Sequence, residues 1–381
     1  GAWIPGLFHA KMADMQGTLL SHWGKPNTGA RNPGSLWFHN TCLDRLPITT
    51  TSLPPFRVCR DLVFISLYAR VLHCLLLVSG CKSLDEYIIK FKSWDSLVVH
   101  ATNIYETYAN SDTVDELRWK RKTEQHTADA AQATGMETGE AGGAGTPADT
   151  FKPTQGDMVF ENSLLFLRDA LVSREFTDAV KAGDSGRVVL VLKMWALSFR
   201  GNGRTKYAHE MLHLIHNLEK VWDEKTKKAV LNNWLLNPTG NEESWVEIDL
   251  VQEHLNFWIK AWYKAHGVNA SWDWLAMVGP CVDVLRQLAR HFNHELGSDQ
   301  GTKHAPPDLS KDIDCLMSSL AEYKVYDLQP GRTLDDEDKP VKDVIQVGFH
   351  NLTEGAKSPL SDFNEAFRRL QERRRMKTVA Q

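Results

Sequence analysis

The most apolar stretch of the chain, Leu62–Ser79, sets the first constraint on the fold. A membrane-spanning helix needs about 20 apolar residues, and charged groups near its middle are costly. Arg70 and His73 lie near the middle of this stretch. Inside a protein, such groups can bond to neighbouring side chains and carbonyl oxygens. The stretch therefore predicts a helix buried in the core of a soluble protein, and we expect no membrane association.

The composition is that of a folded, globular protein. Apolar residues make up 42% and charged residues 24% of the 381-residue chain, which excludes a wholly disordered protein. The net charge is −4, so no basic excess over the whole chain points to nucleic acid. The six cysteines include no Cys-x-x-Cys pair, and no secretory signal is visible. We therefore expect reduced thiols and an intracellular location.

Helix boundaries are marked at several points by capping residues. Ser83 and Glu86 match the capping box that begins helices. Gly183 is predicted to end one helix, because glycine readily adopts the left-handed conformation found there, and Asp184 is predicted to cap the next helix.

Signals for strands are few by comparison. Trp3–Phe8 and Val341–Val347 alternate best, and both patterns are weak. The sequence therefore predicts a mainly α fold, a large multi-helix domain.

A change of composition divides the chain. Between residues 123 and 150, Ala, Gly, Thr and Glu dominate and large apolar side chains are almost absent. Such a segment buries too little surface to offset its ordering entropy. We therefore predict an N-terminal segment with a turn-rich start and helices (1–122), a disordered low-complexity linker (123–150), a helical domain (151–326) and a C-terminal extension with a basic tail (327–381).

One segment matches the zincin motif, His209-Glu210-x-x-His213. On a helix, two histidines four residues apart can bind zinc while the glutamate activates water. The metzincin form of the motif continues with Gly and His, where this chain has His216 and Glu219. A zinc metalloprotease is therefore the less favoured interpretation, and histidines bordering a packed helix are the alternative.

Two clusters of cations are candidates for nucleic-acid contacts. Arg200, Arg204 and Lys206 lie in a glycine-containing loop that opens a helix, where backbone N–H groups and cations suit a phosphate. A second cluster predicts DNA contact or nuclear targeting by the tail; its main members are Arg373, Arg374 and Arg375. An ordinary cationic turn and a solvated chain end are the alternatives.

The predicted helix over Glu243–His266 carries an acidic stripe between two apolar faces. The stripe consists of Asp249, Glu253 and Asn256, spaced four and three residues apart. Flanked by apolar surface, these groups are costly unless paired or holding a metal. Their oxygens suit Mg²⁺, and a buried salt bridge to an arginine of the 200–206 loop is the alternative.

Five phrases of the sequence resemble a family of unknown function that is expanded in mushroom-forming fungi and occurs in many copies. They span most of the chain outside the predicted linker: Gly6–Asp14, Gly34–Asn40, Pro54–Asp61, Asn237–Gly240 and Asp249–Asn256. This multicopy, transposon-associated family is similar, at a distance, to the Kyakuja–Dileera–Zisupton type of DDE transposases.

The resemblance implies a specific site. In such transposases a ribonuclease-H-like fold unites three acidic residues that hold two divalent metals, here Mg²⁺, for phosphodiester transfer. By resemblance, Phe8 and His9 end a core strand, and His9 or Asp14 stands at the second acidic position. Glu253 would be the third acid, with Asp249 as its alternate, and Glu253 and Asp14 would bind the metal.

The resemblance also implies an incomplete enzyme. The upstream segment that carries the first acid in the family is absent from this sequence, so any ribonuclease-H-like α/β part is a small, incomplete remnant. We therefore expect a fragment of a transposon-derived, DDE-type nuclease that is inactive by itself and acts on DNA when complete. The alternative is a non-catalytic helical module that binds DNA or protein.

Overall fold

The structure is a computed structural model that describes residues 4–52, 54–91, 93–137, 153–267, 271–298, 307–334, 338, 340–354, 365, 368 and 369. Within these ranges the chain is mainly α-helical, as predicted. In chain order the first helices are α1 (Leu7–Ser21), α2 (Leu36–Cys42), α3 (Phe56–Ser79), α4 (Leu84–Lys90), α5 (Trp94–Tyr108), α6 (Ser111–Glu137) and α7 (Met158–Ala182).

The second half of the chain continues in the same way. Its helices are α8 (Ser185–Gly201), α9 (Thr205–His216), α10 (Glu224–Asn233), α11 (Ile248–His266), α12 (Trp272–Val278), α13 (Val282–Glu295), α14 (Ser310–Glu322) and α15 (Val344–Thr353). A π-helical turn, Asn217–Val221, follows α9. Two short antiparallel strands, β1 (Leu235–Leu236) and β2 (Val246–Glu247), pair Leu235 with Glu247.

Two apolar cores meet along α7. The first half of α7, around Leu165, packs with α3 and α14. Its second half, around Phe176, packs with α8 and α1, and the rings of Phe176 and Trp195 lie 4.3 Å apart. Because both halves are buried, α7 fixes the two cores relative to each other.

The most apolar stretch forms α3, which lies in the first core as predicted. Arg70 is fully buried there and donates hydrogen bonds to neutral oxygens, those of Gly34 O (2.6 Å), Tyr326 Oη (3.1 Å) and Ser66 Oγ (3.1 Å). Its guanidinium also lies 4.4 Å from the ring centroid of Phe166. By length and composition α3 could cross a membrane, but core helices pass the same test and 61% of its apolar window is buried.

The predicted caps at two helix boundaries are confirmed. Ser83 Oγ accepts a hydrogen bond from Glu86 N at 3.1 Å at the start of α4. Gly183 ends α7 in the left-handed conformation, with φ of +72°. Asp184 then caps α8 by accepting a hydrogen bond from Arg187 N.

Neither of the two weak strand patterns forms a strand in the described residues. Phe8 and His9 lie in the first turn of α1, and residues 4–6 form no strand. Residues 341–343 are extended without a β partner, and α15 begins at Val344. Alternating apolar residues over so short a window also fit a helix whose faces are both partly covered.

Part of the segment predicted to be a disordered linker is helical. Helix α6 continues to Glu137, and residues 138–150 lie outside the described ranges. Good helix formers such as Lys, Glu, Gln and Ala fill this part of α6. Glu124 also anchors it, because its carboxylate accepts hydrogen bonds from Thr154 N and Gln155 N. A helix can therefore form here without burying large apolar side chains.

Candidate functional site

Three of the predicted catalytic residues meet where α1 begins. Asp249 Oδ1 accepts a hydrogen bond from Phe8 N (3.0 Å), and Asp249 Oδ2 accepts one from His9 N (3.1 Å). The same Oδ2 lies 2.9 Å from Nδ1 of the His9 ring. Asp249 therefore caps α1 from about 240 residues away, at the helix end where a negative charge is stabilised.

Glu253, one turn further along α11, completes this cluster. Its Oε1 lies 3.8 Å from Nε2 of His9, and the side chains of His9 and Glu253 are 46% and 44% exposed. Gly6 makes room for the cluster, because a Cβ there would lie 2.3 Å from Asp249 Oδ2. The result is an imidazole held between two carboxylates at the protein surface.

Asp14 does not join this cluster. It follows His9 by five residues on α1, which turns it about 140° around the helix axis. It is 6% exposed and accepts a hydrogen bond of 2.5 Å from Ser173 Oγ on α7. Burial raises the pKa of Asp14 to about 7, although the Ser173 hydrogen bond and the Arg204 charge both oppose the shift. Asp14 thus belongs to the interior, between α1 and α7.

Beside Asp14 lies a second, buried network of charges. Arg168 donates to Asp169 Oδ1 from Nε and Nη2, and Asp169 Oδ2 lies 2.9 Å from His22 Nε2. Burial acts to raise the pKa of Asp169, but Arg168 and His22 outweigh it and hold this pKa below its usual value. Asp14, Asp169 and Trp195 line a small cavity whose volume open to water is about 20 Å³, room for a single water molecule.

The arrangement does not assemble a metal centre within the described ranges. No group of three or more His, Cys, Asp or Glu side chains there is placed to hold a metal ion. Asp249 already accepts hydrogen bonds on both oxygens, and its geometry is that of a helix cap. The assignment of Glu253 and Asp14 as Mg²⁺ ligands remains a prediction.

The predicted cations of the 200–206 loop differ in exposure. Arg204 is half-buried beside α1, since a Cβ on Gly17 would lie 3.1 Å from its Nη1. Burial lowers the pKa of Arg204, partly offset by the charge of Asp14. Arg200 is half-buried with its Nε inside the protein, and Lys206 is exposed. The remaining predicted cations, Arg373, Arg374 and Arg375, lie outside the described residues.

The zincin-like segment forms part of α9, as the motif requires. His213 Nε2 lies 3.2 Å from the side-chain amide of Asn217, one turn further along the chain. Burial and the neighbouring charges of His213 and Lys220 lower the pKa of His216. The buried side of α9 consists of Ala208, Met211 and Leu214, so the histidines border a packed face.

The sequence interpretation missed one conspicuous feature, an apolar stripe on α13. Among the described side chains of α12 and α13 only Val282 is buried. Large apolar side chains along α13 remain 40–67% exposed, and we define the α13 stripe by them: Val284, Leu285, Leu288, Phe292 and Leu296, which immediately follows the helix. Their spacing of three and four residues was the available signal.

These features define a mainly α-helical, multi-helix protein that, in its described ranges, has an exposed apolar helix face and no assembled metal centre. The chain belongs to DUF6589, a family of unknown function whose model matches residues 1–304. Comparison with curated proteins and with solved structures gives no match.

Proposed function

We propose that this chain is a non-catalytic helical protein-interaction module and that the α13 stripe is its docking face. The observation that supports the proposal is the exposure of the stripe. Isolated helices of about this length are marginal in water, and most of their stability comes from packing an apolar face. Because α13 buries only Val282 among its described side chains, the face needs a partner to cover it.

The partner we propose is a second copy of the chain. From their exposed fractions, the five side chains of the stripe would remove on the order of 500 Å² per copy from water. A symmetric pair would then bury about 1,000 Å², the area that a specific interface requires. The stripe is thus large enough to support a dimer.

Antiparallel pairing of two copies of α13 fits the order of the side chains. A two-fold axis between Leu288 and Ala289 places Leu285 of one copy opposite Phe292 of the other and sets the two Leu288 side chains beside each other. The same arrangement brings the negative end of each helix near the positive end of the other. Such an isologous interface closes on itself, so no further copy is added.

Leu288→Glu is expected to convert a dimer into a monomer. Light scattering of the purified wild-type chain should give twice the chain mass of 43.1 kDa, and the variant should give the single value. The physical reason is that two carboxylates would be buried without partners at the centre of the interface. Arg290→Glu, on the opposite side of α13, is the matched control and should stay dimeric. A wild-type chain that is monomeric at every concentration would contradict the proposal.

A second candidate function is favoured by the meeting of His9, Asp249 and Glu253. As a proposal, the chain derives from a fungal, transposon-associated nuclease of the DDE type, and the complete protein cleaves DNA with Mg²⁺ in the nucleus. The support is the resemblance of the sequence together with the proximity of these three side chains. Carboxylates at such a site would bind Mg²⁺ through oxygen.

Glu253→Ala is the test of this second candidate. In a chain that includes the upstream segment, Mg²⁺-dependent nicking of plasmid DNA should be lost in Glu253→Ala and kept in Glu242→Ala, an exposed acid away from the cluster. If nicking persists in Glu253→Ala, the assignment of Glu253 as a catalytic residue is wrong.

A further inference from the structure

The segment Pro340–Thr353, which we call the C-terminal strap, lies across α7 and α8. It lies outside the residues that match the family model, which end at 304. Residues 340–343 are extended, and α15 follows from Val344. The strap thus adds a separate layer to the two-core body.

The extended part of the strap is held by side chains that bind its main chain. Arg118 Nη2 donates to Val341 O at 2.6 Å, and Val341 N donates to Asn162 Oδ1 at 2.9 Å. Both polar groups of one peptide residue are therefore satisfied by side chains of α6 and α7. Hydrogen bonds to the main chain give a bound peptide affinity, while contacts to its side chains give specificity.

Two acidic side chains, Asp338 just before the strap and Asp343 within it, accept hydrogen bonds from an arginine and an amide of the body. Arg168 Nη1 donates to Asp343 Oδ2 at 2.7 Å, and Asn32 Nδ2 donates to Asp338 Oδ2 at 2.6 Å. Asp338 and Asp343 are 7% and 4% exposed, so these bonds form away from water. Arginine–carboxylate bonds of this kind are short and among the stronger hydrogen bonds in proteins. Arg168 also donates to Asp169, so the surface beneath the strap offers acidic side chains one shared cation and one amide.

The helical part of the strap is seated by close backbone contact. A Cβ on Gly348 would lie 1.9 Å from Leu197 O, and a Cβ on Gly201 would lie 1.8 Å from Val344 O. The buried large apolar side chains of the strap are Val344 and Leu352. Val341, Ile345 and Val347 are half-buried, so apolar packing and polar bonds together hold the strap, and a peptide that makes the same contacts competes with it.

Beneath the strap lie polar cavities. Val344 and Ile345 line the cavity of Asp14 and Asp169, as does Trp195, whose Nε1 has no hydrogen-bond partner among the described residues. Asp338 and Val341 cover a second cavity with His22 and Asn162, whose volume open to water is about 40 Å³. A groove floored by buried polar groups is typical of a binding site, because core packing alone would fill it with apolar side chains.

We propose that this surface is a binding site for an acidic peptide and that Asp338 together with the strap is its intramolecular occupant. The ligand has an acidic residue, an apolar residue three positions later and a second acidic residue two positions after that, as in Asp338, Val341 and Asp343. Arg168 and Asn32 bind the two acids, and Arg118 and Asn162 bind the main chain between them. A partner protein presenting such a segment displaces the strap.

A labelled synthetic peptide of residues 338–353 tests the proposal by fluorescence anisotropy with the full chain. Gly348→Leu cannot seat α15 on α8 and leaves every receptor residue in place. This variant should bind the peptide at least tenfold more tightly than wild type, whose groove is occupied. Phe349→Leu, an exposed neighbour on the same helix, is the matched control and should behave as wild type. A peptide with Asp338→Asn and Asp343→Asn should bind the open variant at least tenfold more weakly.

A folded Gly348→Leu chain that does not bind the peptide, or that binds both peptides equally, overturns the proposal. If Gly348→Leu does not fold, hydrogen exchange of the wild-type chain decides. Excess peptide should then accelerate exchange of the α15 amides while those of α7 stay protected. Unchanged exchange of α15 at the highest peptide concentration also overturns the proposal.

Discussion

Replacing Asp157 by Ala is expected to lower the free energy of unfolding by about 4 kcal/mol, the value typical of a broken buried ion pair. Asp157 is fully buried at the start of α7. Its Oδ1 accepts hydrogen bonds from Val159 N and Phe160 N, and its two oxygens receive Arg332 Nε and Nη2 at 2.7 Å each. Ala would remove the helix cap and leave the Arg332 guanidinium without a counter-charge.

Asp184→Ala provides the matched control for this prediction. Asp184 caps α8 by the same kind of hydrogen bond, but it is exposed, and in the described part of the chain no arginine side chain is hydrogen-bonded to its carboxylate. Loss of such a cap costs about 1 kcal/mol. Denaturant unfolding should therefore separate the two variants by about 3 kcal/mol. Equal costs would mean that the ion pair with Arg332 contributes nothing to stability.

Asp14→Asn is expected to stabilise the protein in a pH-dependent way. The pKa of Asp14 is about 7 in the folded chain, against its ordinary value of 3.8. Between these two values the folded state holds a proton that the unfolded chain has lost, so stability falls as the pH rises toward 7. Asn cannot ionise and can still accept the hydrogen bond of Ser173. The Asp14→Asn chain should therefore not lose this stability as the pH rises.

The measurement is denaturant unfolding of both chains at pH 5 and pH 8. The stability gained by Asp14→Asn should be larger at pH 8 by roughly 2.5 kcal/mol, because about two pH units of the window between the two pKa values lie above pH 5, at 1.36 kcal/mol per unit. The charged groups that face Asp14, Asp169 on α7 and Arg204 before α9, are present in both chains. The difference between chains therefore isolates Asp14, and a gain that does not depend on pH would contradict the raised pKa.

The sequence predicted those parts of the fold that depend on local chemistry. Ser83, Gly183 and Asp184 mark helix boundaries because capping is decided within a few residues. The burial of α3 followed from its length and from two polar side chains, Arg70 and His73, that are costly inside a membrane. In each case the evidence lay within one segment.

The start of α1, where the sequence showed a weak strand pattern, depends on a contact that is distant along the chain. Helix α1 has no side-chain cap of its own; its cap is Asp249, about 240 residues away. A contact of this kind has no signature in the neighbouring sequence. The helix over part of Val341–Val347 was missed for the same reason. Gly348 lets α15 pack closely against the backbone of α8, and this contact cannot be recognised from the local sequence.

The candidate site was only partly predictable. His9, Asp249 and Glu253 were named from the resemblance, and the structure brings them together at the surface; their catalytic role stays a prediction. Asp14 was named with them, but its side of α1 is turned toward Ser173, which a single sequence does not disclose. The α13 stripe could have been predicted from the spacing of its apolar residues. Its exposure could not, because it depends on how α11 and α12 pack against α13.

Concentration-dependent hydrogen exchange of α13 tests the central claim, that the α13 stripe is a protein-docking face covered by a second copy. Amides of α13 should gain protection as the wild-type chain is concentrated, because pairing opposes local opening of the helix. Amides of α9, which packs inside one chain, should not change. Leu288→Glu should abolish the gain. Protection of α13 that is the same at all concentrations in the wild-type chain would contradict the claim.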